Sequence, residues 1–450
     1  MDLIQTLLIA AVTLGILVAF HEYGHFWVAR RCGVKVLRFS VGFGAPLYKR
    51  IGRDGTEYTL GAIPLGGYVK MLDEREGDVP PELQSQSFNR QSVWARMAIV
   101  AAGPIANFIL AIVVFWALFL RGESGLIPIV GEVLPGTPAY YAGLEPGQEV
   151  IAIDGKETPT ASALSLRLLD RLGDTGVVRI ATKYPNSDVI YESEAPLDRW
   201  LAGVDNPDPL SGFGIALRRP TLVPTIESVV PGGAAAVAGV QAADRILAAD
   251  GVPMVEWSDW VEYVRARPGQ TIEVLLDRGG RSLTVSLTPA RVDDKTGSYG
   301  SVGMSVQVPE WDDSVLRTFE RGPVSALIAA VERTGSLIVF TFESMWKMLK
   351  GLISPNNLSG PITIAQVAAN SAESGLFSWL GFLALLSISL GALNLLPVPV
   401  LDGGHLVYFA VEALTGKAVP ERAQMLGYQV GVVLVLSIMA FALYNDFARL

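Results

Sequence analysis

Four stretches of this chain are long and apolar enough to cross a lipid bilayer, and any fold must be built around them. They run from about Leu3 through His25, Met97 to Leu120, Leu376 to Leu396, and about Leu426 to Tyr444. A helix rises about 1.5 Å per residue, so roughly 20 apolar residues cover a hydrocarbon layer of ~30 Å. Inside that layer the backbone must satisfy its own hydrogen bonds, which makes each stretch a helix. Composition agrees: half the residues are hydrophobic, 18% are charged, and mean hydropathy is positive.

The first stretch does not read as a cleavable signal peptide. It opens with Asp2, has no Lys or Arg before Arg30, and no small-x-small site follows it. Arg30, Arg31, Lys35 and Arg38 come directly after it, so its N-terminus is expected outside and residues 26–96 in the cytoplasm. Residues 26–96 hold 11 Lys/Arg against 7 Asp/Glu, whereas residues 121–320 hold 17 against 28. That asymmetry fits segments facing different compartments and argues against a nucleic-acid partner. The second helix then returns outward, the acidic 121–320 region is extracytoplasmic, the third helix comes back in and the fourth ends outside. Val324 to Leu352 is also apolar, but Glu332, Arg333, Glu343 and Lys347 interrupt it. It is expected to be an amphipathic helix on the membrane surface.

Residues 121–320 contain an ungapped echo. Pro135-Gly136, Ala139, Ala142-Gly143 and Asp154-Gly155 recur 96 residues later as Pro231-Gly232, Ala235, Ala238-Gly239 and Asp250-Gly251. The period is too long for a solenoid and suits two copies of a small domain. Short strands flank each Gly-rich turn, with alternating runs at Ile272 to Leu276 and Leu283 to Leu287. The pattern resembles the tandem PDZ domains of bacterial envelope proteases. PDZ domains bind extended peptides at a sheet edge; such units could equally act as spacers or steric filters.

The chemistry concentrates at His21-Glu22-Tyr23-Gly24-His25, an H-E-x-x-H motif near the end of the first helix. Spacing of i, i+4 stacks both imidazoles on one face, where they can chelate one metal ion, and Glu22 can act as general base on a water there. The bland alternative, two core histidines, leaves two imidazoles and a carboxylate uncompensated at membrane depth. A catalytic zinc needs a third protein ligand. The metzincin extension is absent, with Val28 and Arg31 in place of its glycine and third histidine. The only cysteine, Cys32, excludes both an intramolecular disulfide and a thiolate site. The best candidate is Asp402 in Leu401-Asp402-Gly403-Gly404-His405, after a segment with Pro397 and Pro399 that breaks the third helix. Four spans bring Asp402 to the cytoplasmic end beside the histidines. A fifth span at 324–352 would leave it about a bilayer thickness (~30 Å) away. His405 is an alternative ligand, with a supporting role favoured.

Together these residues resemble the site-2 proteases. The likeness rests on H-E-x-x-H, Asn394-x-x-Pro397-x-Pro399-x-Leu401-Asp402-Gly403, Gly61 to Lys70, Gly103-Pro104-x-x-Asn107 and the two PDZ-like units. It implies zinc held by His21, His25 and Asp402, with Glu22 as catalytic base. It also implies cleavage of single-pass membrane proteins within the membrane, after another protease has trimmed them. For bacterial members the substrates include an anti-sigma factor of the envelope stress response and remnant signal peptides. The location implied is the bacterial inner membrane, with the active site toward the cytoplasm and the PDZ-like units in the periplasm.

The expected fold is therefore a multi-domain membrane protein. It has a four-transmembrane-helix α core, membrane-associated β-strands and two tandem PDZ-like α+β domains. Residues 1–120 form the N-terminal membrane region, 121–220 and 221–310 the two PDZ-like domains, 311–375 a surface helix and connector, and 376–450 the C-terminal membrane region. Residues 34–44 and 56–70 are read as strands dipping into the membrane, with a Gly-Pro-rich turn at 61–67. Their edge, including Gly66 and Gly67, could hold unwound substrate by backbone pairing; an ordinary cytoplasmic hairpin is the alternative. Asn394 could donate to substrate backbone or a developing oxyanion, or simply cap its helix; Pro397 and Pro399 stand with it as candidate substrate-binding residues. A PDZ-bearing adaptor or inactive pseudoprotease would be favoured if Glu22 or Asp402 were missing, and a zinc transporter by a repeat in the membrane half; neither condition holds.

Overall fold

The computed structural model describes residues 3–75, 77–218, 222–294, 297–307 and 315–449. The expected domain boundaries at 220/221 and 310/311 fall outside the described residues. The first helix, α1 (Leu3–Arg31), presents Leu3, Leu7, Leu8 and Val12 outward, as a lipid-facing surface would. At its other end the Arg31 guanidinium lies 5.1 Å over the Trp27 ring, an amphipathic pair suited to a membrane interface.

A hairpin follows, β1 (Val36–Ile51) and β2 (Glu57–Met71). The inner part of β1 lies between two parts of β2. Phe39 is opposite both Tyr58 and Val69, and Val41 is opposite both Leu60 and Gly67. The segment 61–67, expected to be a turn, instead lies within β2. Glycine makes this possible. A Cβ on Gly61 would stand 2.6 Å from the carbonyl carbon of Gly42, and Gly66 bends the strand at φ +115°. Phe26 of α1 meets Phe39 and Tyr58 edge-on, which pins the hairpin to the helix. Phe43, Leu47, Tyr48, Leu60 and Ile63 remain exposed along its outer half.

Ser92 caps α2 (Val93–Leu120), its Oγ accepting the Ala95 N–H at 3.2 Å. After α2 comes β3 (Glu123–Leu126), then the first unit of the repeat. It comprises β4 (Val130–Val133), α3 (Pro138–Tyr141), β5 (Glu149–Ile153), β6 (Lys156–Glu157), α4 (Ala161–Leu169), β7 (Gly176–Lys183), β8 (Tyr191–Leu197), α5 (Pro209–Phe213) and β9 (Ile215–Leu217). The second unit comprises β10 (Ile226–Val229), α6 (Ala234–Val237), β11 (Arg245–Ala249), β12 (Val252–Pro253), α7 (Trp257–Arg265), β13 (Ile272–Arg278) and β14 (Arg281–Leu287). It continues through β15 (Ala290–Asp294), β16 (Gly297–Ser301) and β17 (Met304–Val306).

The two units share one plan. Their four-stranded sheets are ordered β6-β5-β7-β8 and β12-β11-β13-β14, and the short pairs β4-β9 and β10-β17 close each one. The repeated Asp-Gly is a shared turn: Asp154 and Asp250 sit at φ +50° and +48°, and each Oδ1 accepts a neighbouring strand's N–H, from Arg179 and Glu273. The repeated Ala139 and Ala235 are fully buried, each under its own apolar core.

The chain returns along β18 (Leu316–Phe319), which pairs with β3. Then α8 (Pro323–Leu349) runs unbroken, burying Ala326, Ala330, Thr334 and Leu337, and its apolar buried residues share a core with α2 and α10. Its two ends are tied. Trp116 Nε1 of α2 donates to the Pro323 carbonyl at 2.9 Å, while Lys347 Nζ donates to the Asp170 carbonyl at 2.7 Å and pairs with Asp174 at 2.8 Å. A further helix, α9 (Pro361–Glu373), lies in the stretch expected to be connector. The Asp446 carboxylate accepts the N–H groups of Gly360, Ile362 and Thr363 at its start, so another helix supplies its cap. The remaining helices are α10 (Leu376–Asn394), α11 (Asp402–Thr415) and α12 (Glu421–Arg449). Among the described residues five helices, α1, α2, α8, α10 and α12, have the length and hydropathy of membrane spans. The protein is a multi-pass membrane protein.

Candidate metal centre

Two distant parts of the chain converge on one point. His21 and His25, four residues apart on α1, turn Nε2 toward each other at 3.3 Å. The Asp402 Oδ2 lies 3.2 Å from the first and 3.5 Å from the second. Oδ2 is buried, and among the described residues no hydrogen bond satisfies it. Three donor atoms packed this closely repel unless a cation sits among them. Zinc with ligand bonds of ~2.0–2.1 Å in a tetrahedron requires ligand–ligand edges of ~3.3 Å, the spacing found here. His21, His25 and Asp402 therefore fit a zinc ion.

Packing explains how Asp402 arrives there. It is the first residue of α11, whose opening turn lies flat on the irregular 395–399 backbone. A Cβ on Gly403 would meet the Leu396 carbonyl oxygen at 2.2 Å, and one on Gly404 the Val398 oxygen at 2.4 Å. The absence of side chains at Gly403 and Gly404 therefore lets this helix start so close to the loop. Farther along, Arg96 of α2 pairs with Glu412 at 2.5 Å and stacks on Phe409, fixing the other end of α11.

The second helix lines the other side. A Cβ on Gly103 would fall 2.2 Å from His25 Nε2 and 2.8 Å from His21 Cε1. His25 Nδ1 donates to the Ile99 carbonyl at 2.9 Å, which leaves Nε2 with its lone pair free. The Asn107 carboxamide lies 3.3 Å from His21 Nδ1. Gly103-Pro104-x-x-Asn107 stood out in the sequence only as a family-like segment, with no role attached. A polar residue in an apolar helix was the available signal.

The other candidate residues are distributed around this centre. Glu22 is buried beside His21, and a Cβ on Gly67 would stand 3.0 Å from its Cγ. Gly67 thus lies against Glu22, and Gly66 against the Phe43 ring. Asn394 is the last residue of α10, half-buried. Pro397 is exposed, whereas Pro399 packs against Gly427 and Gly431 of α12. His405 is exposed and lies outside the three-donor cluster.

Comparison with known proteins agrees with this geometry. The profile of Peptidase family M50 matches residues 9–438. The regulator of sigma-E protease RseP of Escherichia coli is 44% identical over 439 residues, spanning 98% of this chain and 97% of its own. Protease RseP of Yersinia pestis is 43% identical over 451 residues, covering both chains completely. A putative zinc metalloprotease of Vibrio cholerae is 40% identical over 450 residues, again covering both. Among solved structures, the PDZ domain of an SdrC-like protein from Listeria monocytogenes aligns with 20% of this chain and 93% of its own, at 19% identity and a TM-score of 0.17.

Proposed function

The chain belongs to peptidase family M50, and from that premise we propose how its residues divide the work of cutting a peptide bond inside a membrane. It is an intramembrane zinc metalloprotease acting in regulated proteolysis. The observation that carries the reading is the convergence of His21, His25 and Asp402 within 3.2–3.5 Å. Zinc bound there supplies a Lewis acid for the scissile carbonyl and lowers the pKa of a neighbouring water.

Glu22 is the general base in this account. It follows His21 on the same helix, and its Cγ lies against Gly67 of β2. It takes a proton from the attacking water and delivers it to the leaving amine. The substrate's backbone must first be unwound, because a transmembrane helix hides its carbonyls. The β2 edge around Gly66 and Gly67, directly beside Glu22, offers backbone groups for pairing with an extended segment. Asn394, with Pro397 and Pro399, lines the approach from the broken end of α10 and directs a hydrogen bond to substrate backbone.

Four of the five long helices cross the bilayer in this reading, and α8 lies along its outer surface. Both ends of α8 support this. One meets Trp116 near the C-terminal end of α2, and the other holds the first repeat unit through Lys347. A spanning helix would place those partners on opposite sides. The positively charged 26–96 region then faces the cytoplasm and the acidic repeat the periplasm, in the bacterial inner membrane. The domain divisions are those expected from the sequence, with PDZ-like units at 121–220 and 221–310. Among the described residues, strands β9 and β17 each pair on one side only, to β4 and β10, which leaves an edge for an extended peptide.

The substrates are single-pass membrane proteins, consistent with relatives named as regulators of sigma-E. Resemblance to the site-2 proteases points to an anti-sigma factor and remnant signal peptides. The test is cleavage of a single-pass substrate by enzyme reconstituted in membranes, comparing wild type with Glu22→Gln, with zinc measured in both. The variant is expected to keep about one zinc and lose cleavage; retained cleavage would remove Glu22 as the base.

A further inference from the structure

The sharpest unexplained group is Asn107. It is fully buried in the apolar helix α2, and among the described residues its Oδ1 has no hydrogen-bond partner. Burying an amide oxygen without a partner is unfavourable, so an asparagine at this point of an apolar helix asks for a reason. Its backbone is already held, since Ser387 Oγ of α10 donates to the Asn107 carbonyl at 2.7 Å. The side chain points at His21, with the carboxamide 3.3 Å from Nδ1.

A carboxamide turned end for end fills the same space, but its two orientations dictate opposite chemistry. With nitrogen toward the ring, Nδ1 must accept, the ring proton moves to Nε2, and His21 points a proton at His25 and Asp402. With oxygen toward the ring, Nδ1–H donates to Oδ1 and Nε2 keeps its lone pair for the metal. The second arrangement also satisfies the orphaned oxygen. It matches the neighbouring ligand, where His25 Nδ1–H donates to the carbonyl of Ile99, about two turns earlier on the same helix.

We propose that Asn107 is a positioning residue for the metal ligand His21, accepting Nδ1–H through Oδ1 and so holding the imidazole in its metal-binding tautomer. Helix α2 then sets both imidazoles at once, one through a backbone carbonyl and one through this side chain. The inference rests on the reading of His21, His25 and Asp402 as a zinc site. Its failure is distinguishable, because a failed site would show in wild-type zinc content and not in the variants.

The test uses the full chain in detergent or nanodiscs. With only three histidines in the protein, ¹⁵N-histidine NMR of the zinc-loaded wild type reads the tautomers directly. A protonated Nδ1 on His21 is expected; a proton on Nε2 would overturn the proposal. Zinc affinity by chelator competition gives the second readout. Asn107→Leu, of similar volume, is expected to bind zinc about 10–100-fold more weakly. Asn107→Asp, which keeps the acceptor oxygen, is expected to stay within about threefold of wild type, with a matching visible spectrum when loaded with cobalt. An Asn107→Leu protein with wild-type affinity would contradict the role, as would an Asn107→Asp protein as weak as the leucine variant.

Discussion

Gly103 and His25 occupy the same pocket of space: a methyl group on the glycine would stand 2.2 Å from the imidazole Nε2. The close approach of α1 and α2 that builds the metal centre therefore depends on a missing side chain. Gly103→Ala is expected to push His25 away and weaken zinc binding about 100-fold, with cleavage lost in parallel. Metal analysis of the purified variant checks this; a full complement of tightly held zinc would show that the ring has room to move.

Gly67 separates catalysis from metal binding. A Cβ there would meet the Ser40 carbonyl oxygen at 2.6 Å, Val18 Cγ1 at 2.8 Å and Glu22 Cγ at 3.0 Å, so alanine must shift the hairpin or the base. Displacements of about 1 Å near reacting groups cost on the order of 100-fold in rate. Gly67→Ala should keep its zinc and lose kcat by about that factor. Zinc lost together with activity would place the damage at the ligands instead.

The position of α8 is open to direct measurement. Cys32 is the only native thiol, so a Cys32→Ser background allows single cysteines to be placed at will. Cysteines at Gly322 and Gly351, just beyond the two ends of α8, should both react with a membrane-impermeant thiol reagent added from the periplasmic side. Labelling of one end only would make α8 a span and overturn its placement along the outer surface.

The repeat carries its own pH sensitivity. Burial pushes the Asp244 carboxyl up, but two bonds from Arg278, both at 2.7 Å, and one from the Gln241 N–H outweigh it and hold the pKa below the ordinary 3.8. A depressed carboxylate stabilises the fold fully above its unfolded pKa and loses that contribution as pH falls through the folded value. Asp244→Asn should thus destabilise the second unit by about 1.5–3 kcal/mol at pH 7, and the difference should shrink below about pH 4. Hydrogen exchange of β11 and β13 in the intact chain reads this; a gap unchanged at pH 3 would mean the charge is not the source.

Much of this arrangement was legible in the residues. The i, i+4 histidines, the Asp-Gly after a proline-broken helix and the 96-residue echo are local patterns with one physical meaning each. What escaped was set by contacts between distant segments. The 61–67 stretch looks like a turn because Gly and Pro break strands in isolation, yet Gly61 and Gly66 allow the hairpin to fold back on itself. Helix α9 has no cap of its own in sequence, because Asp446 supplies it from 86 residues away. Asn107 and Gly103 have meaning only once α1 lies against α2.

The most direct test of the joint metal centre is zinc X-ray absorption on the purified full-length protein, beside Asp402→Ala. Wild type is expected to show two imidazoles and light oxygen ligands around one zinc per chain, and the variant to lose both the carboxylate signature and tight zinc. An unchanged zinc spectrum and affinity in Asp402→Ala would mean that α11 contributes nothing to the site.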